Sequence, residues 1–176
     1  MTKRMKKWMV FILAIIGIFG VYVLVSLWIS TNYIVVREYE ADTGKCANPI
    51  RAVVVSDLHD HEFGKGNTRL AEKILETEPD IIILDGDMLN NVSEDASVPL
   101  ELMQELRRKM EEEIPVYYAW GNHEIEYLGN GHPELEEELE EAGAVVLDKT
   151  YIDVEINGVP VRLGGLYDYA FGLDGN

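Results

Sequence analysis

Residues 50–87 read IRAVVVSDLHDHEFGKGNTRLAEKILETEPDIIILDGD. The stretch opens on Ile50–Val55, an apolar, β-branched run suited to a buried strand. Asn67 then stands where a helix cap is wanted, ahead of a stripe of Leu70, Ala71, Ile74 and Leu75 that Pro79 stops. Ile81–Leu84 is a second buried strand. Strand, helix, strand within one such span calls for a right-handed crossover between parallel neighbours. The pattern then repeats. A helix is expected from about Pro99, with Met103, Leu106, Met110 and Ile114 on one face, and Val116–Trp120 makes a third strand. Pro133 opens another helix with Leu135, Leu139 and Ala142 inward and Gly143 at its close, and Val145–Leu147 starts a fourth strand. Asn157-Gly158, between two alternating stretches, reads as a hairpin turn. Upstream, NYIVVREY over residues 32–39 is expected as a further strand. The fold class is therefore α/β. Its sheet is mostly parallel, since uninterrupted apolar strands need cover on both faces, and the terminal hairpin makes that sheet, or a second one beside it, mixed.

The chain has 176 residues, enough for one domain and a short appendage. It carries 15 basic and 32 acidic residues, a net charge of −17, which argues against nucleic-acid binding because that affinity depends on neutralising phosphates. The single cysteine, Cys46, excludes an intramolecular disulfide and a cysteine-based zinc cluster. The charge is unevenly spread. Lys3, Arg4, Lys6 and Lys7 are the only charges before residue 37, and the remainder carries −21. Behind them, Trp8–Ile29 is WMVFILAIIGIFGVYVLVSLWI, in which Ser26 is the one clearly polar residue. At ~1.5 Å per residue these residues cross a ~30 Å hydrocarbon layer. The run exceeds the ~7–15 residues of a signal peptide's apolar region, and Trp28 stands where a cleavage site needs a small residue. It reads as an uncleaved, single-pass anchor in the cell membrane, with residues 1–7 cytoplasmic and residues 30–176 outside by the positive-inside rule. The expected organisation is a basic tail and anchor over 1–29, a linker with a first strand over 30–49, and a domain from 50 onward.

Three polar clusters each follow an apolar strand: Ser56-Asp57-Leu58-His59-Asp60-His61, then Asp85-Gly86-Asp87, then Gly121-Asn122-His123-Glu124. Residues just past the carboxyl ends of neighbouring parallel strands converge on one crevice. Asp57, His59, Asp87, Asn122 and His123 are thereby expected together. One such residue after a strand is ordinarily a turn or cap; three clusters in register are another matter. Carboxylates, imidazoles and an amide oxygen form a donor set suited to Mn, Fe or Zn. The acids of Glu134–Glu141 surround the Leu135/Leu139 stripe and read as a solvated helix face.

Asp57-x-His59, Gly86-Asp87 and Gly121-Asn122-His123-Glu124 resemble the D-x-H, G-D and G-N-H-[DE] blocks of calcineurin-like metallophosphoesterases, in particular their membrane-anchored bacterial branch. The resemblance runs from about residue 50 to the end. It implies an α/β sandwich with two divalent metal ions that hydrolyses phosphoesters. By that resemblance Asp57 and His59 hold the first metal, Asp87 bridges both, and Asn122 holds the second. His123 contacts the phosphate and protonates the leaving oxygen, with Glu124 orienting it. Asp60 and His61 match no essential family position.

The family pattern goes on to a further His and a G-H-x-H block, and neither follows here. His132, in Gly131-His132-Pro133-Glu134, reads as a helix cap. The expectation is a truncated chain, the amino-terminal part of a longer enzyme, itself a weak binder of metal and a poor catalyst, so that the activity expected is the parent enzyme's. The competing readings are a degenerate, non-catalytic anchored binding module, and a pyrophosphatase acting on lipid-linked or nucleotide-sugar substrates.

Overall fold

The computed structural model describes residues 2–42, 44, 46 and 48–166. The chain forms two units, Met1–Glu38 and Tyr39–Asn176.

The first unit is helix α1, Lys3–Asn32, with no buried residue. Its apolar side chains face outward on every side; Phe19 and Leu24 are 65% and 68% exposed. By length and composition the helix is long and apolar enough to cross a membrane. The side chain of Thr2 accepts from the Met5 amide (3.4 Å) at the start. At the end, the Thr31 hydroxyl and the Asn32 amide donate to the carbonyls of Leu27 and Trp28 (both 3.0 Å), meeting backbone acceptors that a helix end leaves open. The strand expected over residues 32–39 is not formed: α1 takes Asn32, and residues 33–42 carry no regular structure. An alternating apolar pattern makes a strand only beside a partner that completes its hydrogen bonds, and Tyr33, Val35 and Tyr39 are exposed.

In the second unit, β1 (Ala52–Val55), β2 (Ile81–Asp85), β3 (Val116–Ala119) and β4 (Ala144–Leu147) form a four-stranded sheet in that order. Every pairing in it is parallel, with Val54 opposite Ile83, Ile83 opposite Tyr117 and Tyr117 opposite Val145. The connections hold α2 (Thr68–Leu75), α3 (Ser97–Lys109), α4 (Asn122–Gly129) and α5 (Leu135–Glu141). Right-handed crossovers in a sheet of sequential order put these helices on one face. On that face Ile82, Leu84 and Tyr118 are fully buried. The other face is covered by a separate antiparallel pair, β5 (Tyr151–Ile156) and β6 (Val159–Gly164). Ile81, Tyr117 and Leu147 pack there with Ile156, flanked by Ile83, Ile152, Val154 and Val161. Asn157 and Gly158 join this pair with positive φ at both residues (51° and 75°), the two-residue turn whose twist suits a hairpin. Of the two placements open to the hairpin, the structure adopts the second sheet.

Three local expectations change. Asn67 has φ 58° and no side-chain cap bond. It is instead wholly buried, accepting from the Phe63 amide (3.0 Å) and donating to the Val98 carbonyl (3.3 Å), so it ties the loop before α2 to α3. α3 begins at Ser97, whose amide the Asp95 carboxylate accepts (2.9 Å); the Ser97 side chain first, and this amide second, lower the Asp95 pKa. That helix stops at Lys109, leaving Ile114 beyond it. Helix α4, absent from the sequence reading, starts at Asn122 directly after the third strand.

Candidate metal centre

The site is built where β1, β2 and β3 end. The two loops after β1 and β2 continue side by side past the sheet. Asp57, His59 and Asp60 donate their amides to the carbonyls of Gly86, Asp87 and Met88 at 3.2, 3.0 and 3.2 Å. This zip holds Asp57, His59, Asp60 and Asp87 in the left-handed region, with φ of 58°, 46°, 61° and 52°. Such a conformation costs on the order of 1–3 kcal/mol per non-glycine residue and persists only where the surroundings enforce it. Three of these residues follow β1 and one follows β2, so half of the eight non-glycine residues with positive φ among the described ones sit at two neighbouring strand ends.

The third segment is pressed against the second by two glycines. A Cβ on Gly86 would collide with the backbone of Gly121, and one on Gly121 with the side chain and amide of Asp87. Only residues without a Cβ let the β2 and β3 loops approach this closely. The carboxylate of Glu124 closes the join. Oε2 accepts from the Asp87 (2.8 Å) and Gly121 (2.9 Å) amides, and Oε1 from the Met88 amide and the Tyr118 hydroxyl (both 2.8 Å). The bond to Gly121 is the reach of a third helical residue back to the cap. Burial first, and the neighbouring Glu124 carboxylate second, push the Tyr118 phenol well above its ordinary pKa, so it stays a donor.

Within this frame His59, Asp87 and His123 come together, each offering a ligand atom within 4.8 Å of the others. The rings of His59 and His123 meet edge to face at 4.7 Å. Asp87 Oδ1 accepts the His123 amide (3.0 Å). The Nδ1 of His123 accepts the Asn91 amide (3.1 Å), which fixes its tautomer with the proton on Nε2. Asp57 stands beside the group, Oδ1 lying 3.8 Å from His59 Nε2. Asn122, the first residue of α4, is exposed. His59 and Asp87, with Asp57 beside them, are a donor set that fits a borderline divalent cation, while His123, its Nδ1 taken by the Asn91 amide, presents Nε2–H next to them.

Other candidate residues have different work. Glu124 does not orient His123 by contact; its oxygens are committed to the four donors above. Asp60 gathers the β2 loop, Oδ2 accepting the Asn90 amide (3.2 Å), the Asn90 side chain (2.7 Å) and the Ser93 hydroxyl (2.6 Å). His61 packs its ring against Phe63 at 4.6 Å, and its Nε2 is buried with no hydrogen-bond partner. His132 stacks flat on Tyr127 at 4.0 Å, while its carbonyl accepts the Leu135 amide (3.4 Å) at the start of α5. Asn90, Asn91, Ser93 and Tyr118 were not singled out from the sequence. Glu124 had a readable signal, an acid three places after Gly121 at a helix start, but only with α4 recognised.

Comparison with known proteins adds three findings. The sequence profile described as calcineurin-like phosphoesterase matches residues 50–172. Among solved structures, the chain is similar to a phosphopantetheinyl hydrolase from Mycobacterium tuberculosis, with 22% identity and a TM-score of 0.43, over 72% of this chain and 46% of that one. The chain thus spans less than half the length of that relative. No curated protein matches.

Proposed function

The chain belongs to the calcineurin-like phosphoesterase family, and from that membership we propose that it hydrolyses phosphoesters with two divalent metal ions from a membrane anchor. The observation that carries the reading is the convergence of His59, Asp87 and His123 within 4.8 Å at the ends of neighbouring parallel strands. Asp57 and His59 hold one ion, Asp87 reaches both, and Asn122 holds the second; Mn, Fe and Zn all suit the set. When bound, the ions supply positive charge to the phosphoryl oxygens and to the charge developing on them.

The remaining work falls to the protein. The β1–β2 zip and the Gly86/Gly121 contact keep the donors at fixed separations before substrate arrives, so little ordering is left for the reaction itself. His123 presents Nε2–H, and its place at the head of α4 turns that proton toward the leaving oxygen. The Asn91 amide at Nδ1 favours a second reading of the same residue. A full proton transfer is easiest from a doubly protonated ring, and ligation through Nε2 needs the proton on Nδ1. A donor already aimed at Nδ1 opposes both. His123 is then a hydrogen-bond donor to the phosphate. Leaving-group dependence separates the roles: His123→Gln loses far more rate on an alkyl ester than on a nitrophenyl ester if a proton is transferred, and equally on both if the ring only anchors phosphate.

Residues 1–29 are the anchor, and basic residues 3–7 set a cytoplasmic amino terminus with the phosphoesterase domain outside. The function is tested on a chromogenic phosphodiester: hydrolysis should stop with a chelator and return with Mn²⁺. Hydrolysis indifferent to both would remove the metal-dependent reading.

A further inference from the structure

Asn67 and Glu124 are the fully buried polar or charged residues among the described ones. Asn67 serves a loop, but Glu124 sits under the proposed metal site. Its four donors come from three segments: Tyr118 in β3, Gly121 at the head of α4, and the successive amides of Asp87 and Met88 after β2. We infer that Glu124 is a positioning residue for the site, setting Asp87 against Asn122 and His123 without touching metal or substrate. The inference rests on the reading of Asp87 and Asn122 as ligands.

Three features give it direction. Asp87 holds φ 52°, a conformation it keeps only under outside support. Glu124 accepts the amides of the two peptides that flank Asp87, so it grips the turn that aims the Asp87 side chain. That side chain in turn accepts the His123 amide (3.0 Å), so a shift of the Asp87 turn is passed to α4. The clamp is therefore reciprocal: Glu124 of α4 holds the backbone of Asp87, and Asp87 holds the backbone of α4. A carboxylate is needed because both oxygens accept twice. Glutamine would turn its NH₂ either toward the Asp87 and Gly121 amides or toward the Met88 amide and the Tyr118 hydroxyl, leaving at least one amide at the site unpaired.

A purely structural role would make metal affinity follow stability. Outer residues that orient ligands typically change metal affinity by about 10–100-fold when altered. Mn²⁺ binding to the whole chain, measured by calorimetry, should weaken by that factor in Glu124→Gln while far-ultraviolet circular dichroism is unchanged. Leu139→Ala, a buried change on α5, should lower Tm at least as much yet keep Mn²⁺ affinity within about twofold, as expected of a site with which it shares no partners. Wild-type affinity in folded Glu124→Gln, or losses in both variants that track Tm, would overturn the inference. Should wild type bind no Mn²⁺, the metal reading fails on its own, and amide exchange decides the positioning. The Asp87, Met88 and Gly121 amides should exchange slowly in wild type and fast in Glu124→Gln; equal rates would refute it. If Glu124→Gln does not fold, the wild-type rates alone decide. Exchange only through global unfolding supports the clamp, and exchange as fast as an exposed loop overturns it.

Discussion

Asp87→Asn isolates charge from shape at the centre of the site. Asparagine is isosteric and tolerates the left-handed conformation that Asp87 holds at φ 52°. It also keeps an oxygen to accept the His123 amide, now at 3.0 Å from Oδ1. That bond changes from charge-assisted to neutral, a loss of about 1 kcal/mol, so Tm should fall by roughly 3–5 °C for a unit of this size. The effect on metal is larger. Unit charges about 4 Å apart near a protein surface interact by about 4 kcal/mol, and losing even two-thirds of that is about a hundredfold. Mn²⁺ affinity should therefore fall by at least ~10²-fold, and hydrolysis of a nitrophenyl phosphodiester by orders of magnitude, while the fold stays. The assay pairs metal content by elemental analysis with turnover and a thermal melt. Near-normal turnover with two ions per chain would refute the assignment of Asp87 to both metals. A loss of activity with a collapsed fold would show that its hydrogen bond, and not its charge, mattered most.

Gly121→Ala places a Cβ within 2.8 Å of the Asp87 Cγ; it should cost about 1–3 kcal/mol by overpacking and weaken Mn²⁺ binding, and an unchanged melt would show that the loops have room to part. The raised Tyr118 pKa means its neutral form is favoured in the folded state, so that contribution is complete below pH about 10 and is lost as pH rises past it. Unfolding free energy should accordingly fall less steeply between about pH 10 and 12 in Tyr118→Phe than in wild type, and equal slopes would contradict this. Protease added to intact cells or spheroplasts should digest the domain after residue 30, whereas protection until lysis would reverse the orientation.

Much of the architecture was legible because it rests on patterns that local chemistry enforces. Apolar strand runs such as Ile81–Leu84 can only be buried on both faces, and Asn157-Gly158 suits one kind of turn. The strand expected at 32–39 failed because its pattern needs a partner that no local sequence supplies. Helix α4 was missed for the opposite reason. Its residues Asn122–Gly129 carry only Glu124 and Tyr127 inward, too short a stripe to announce a helix. The site followed the same division. Strand ends put five residues together in the sequence reading; His59, Asp87 and His123 do meet, with Asp57 beside them, while Asn122 is exposed at the head of α4. The hydrogen bonds that hold them there were not readable, because they join residues such as Met88 and Glu124 that are 36 positions apart. The grip of Glu124 on Asp87, and of Asn91 on His123, exists only in three dimensions.

Equilibrium dialysis against Mn²⁺ tests the central claim most directly, comparing wild type with a His59→Ala/Asp87→Ala double variant shown to be folded by circular dichroism. The account predicts saturable binding of two ions per chain in wild type and none in the variant. Equal binding by both proteins, or none by wild type, would contradict it.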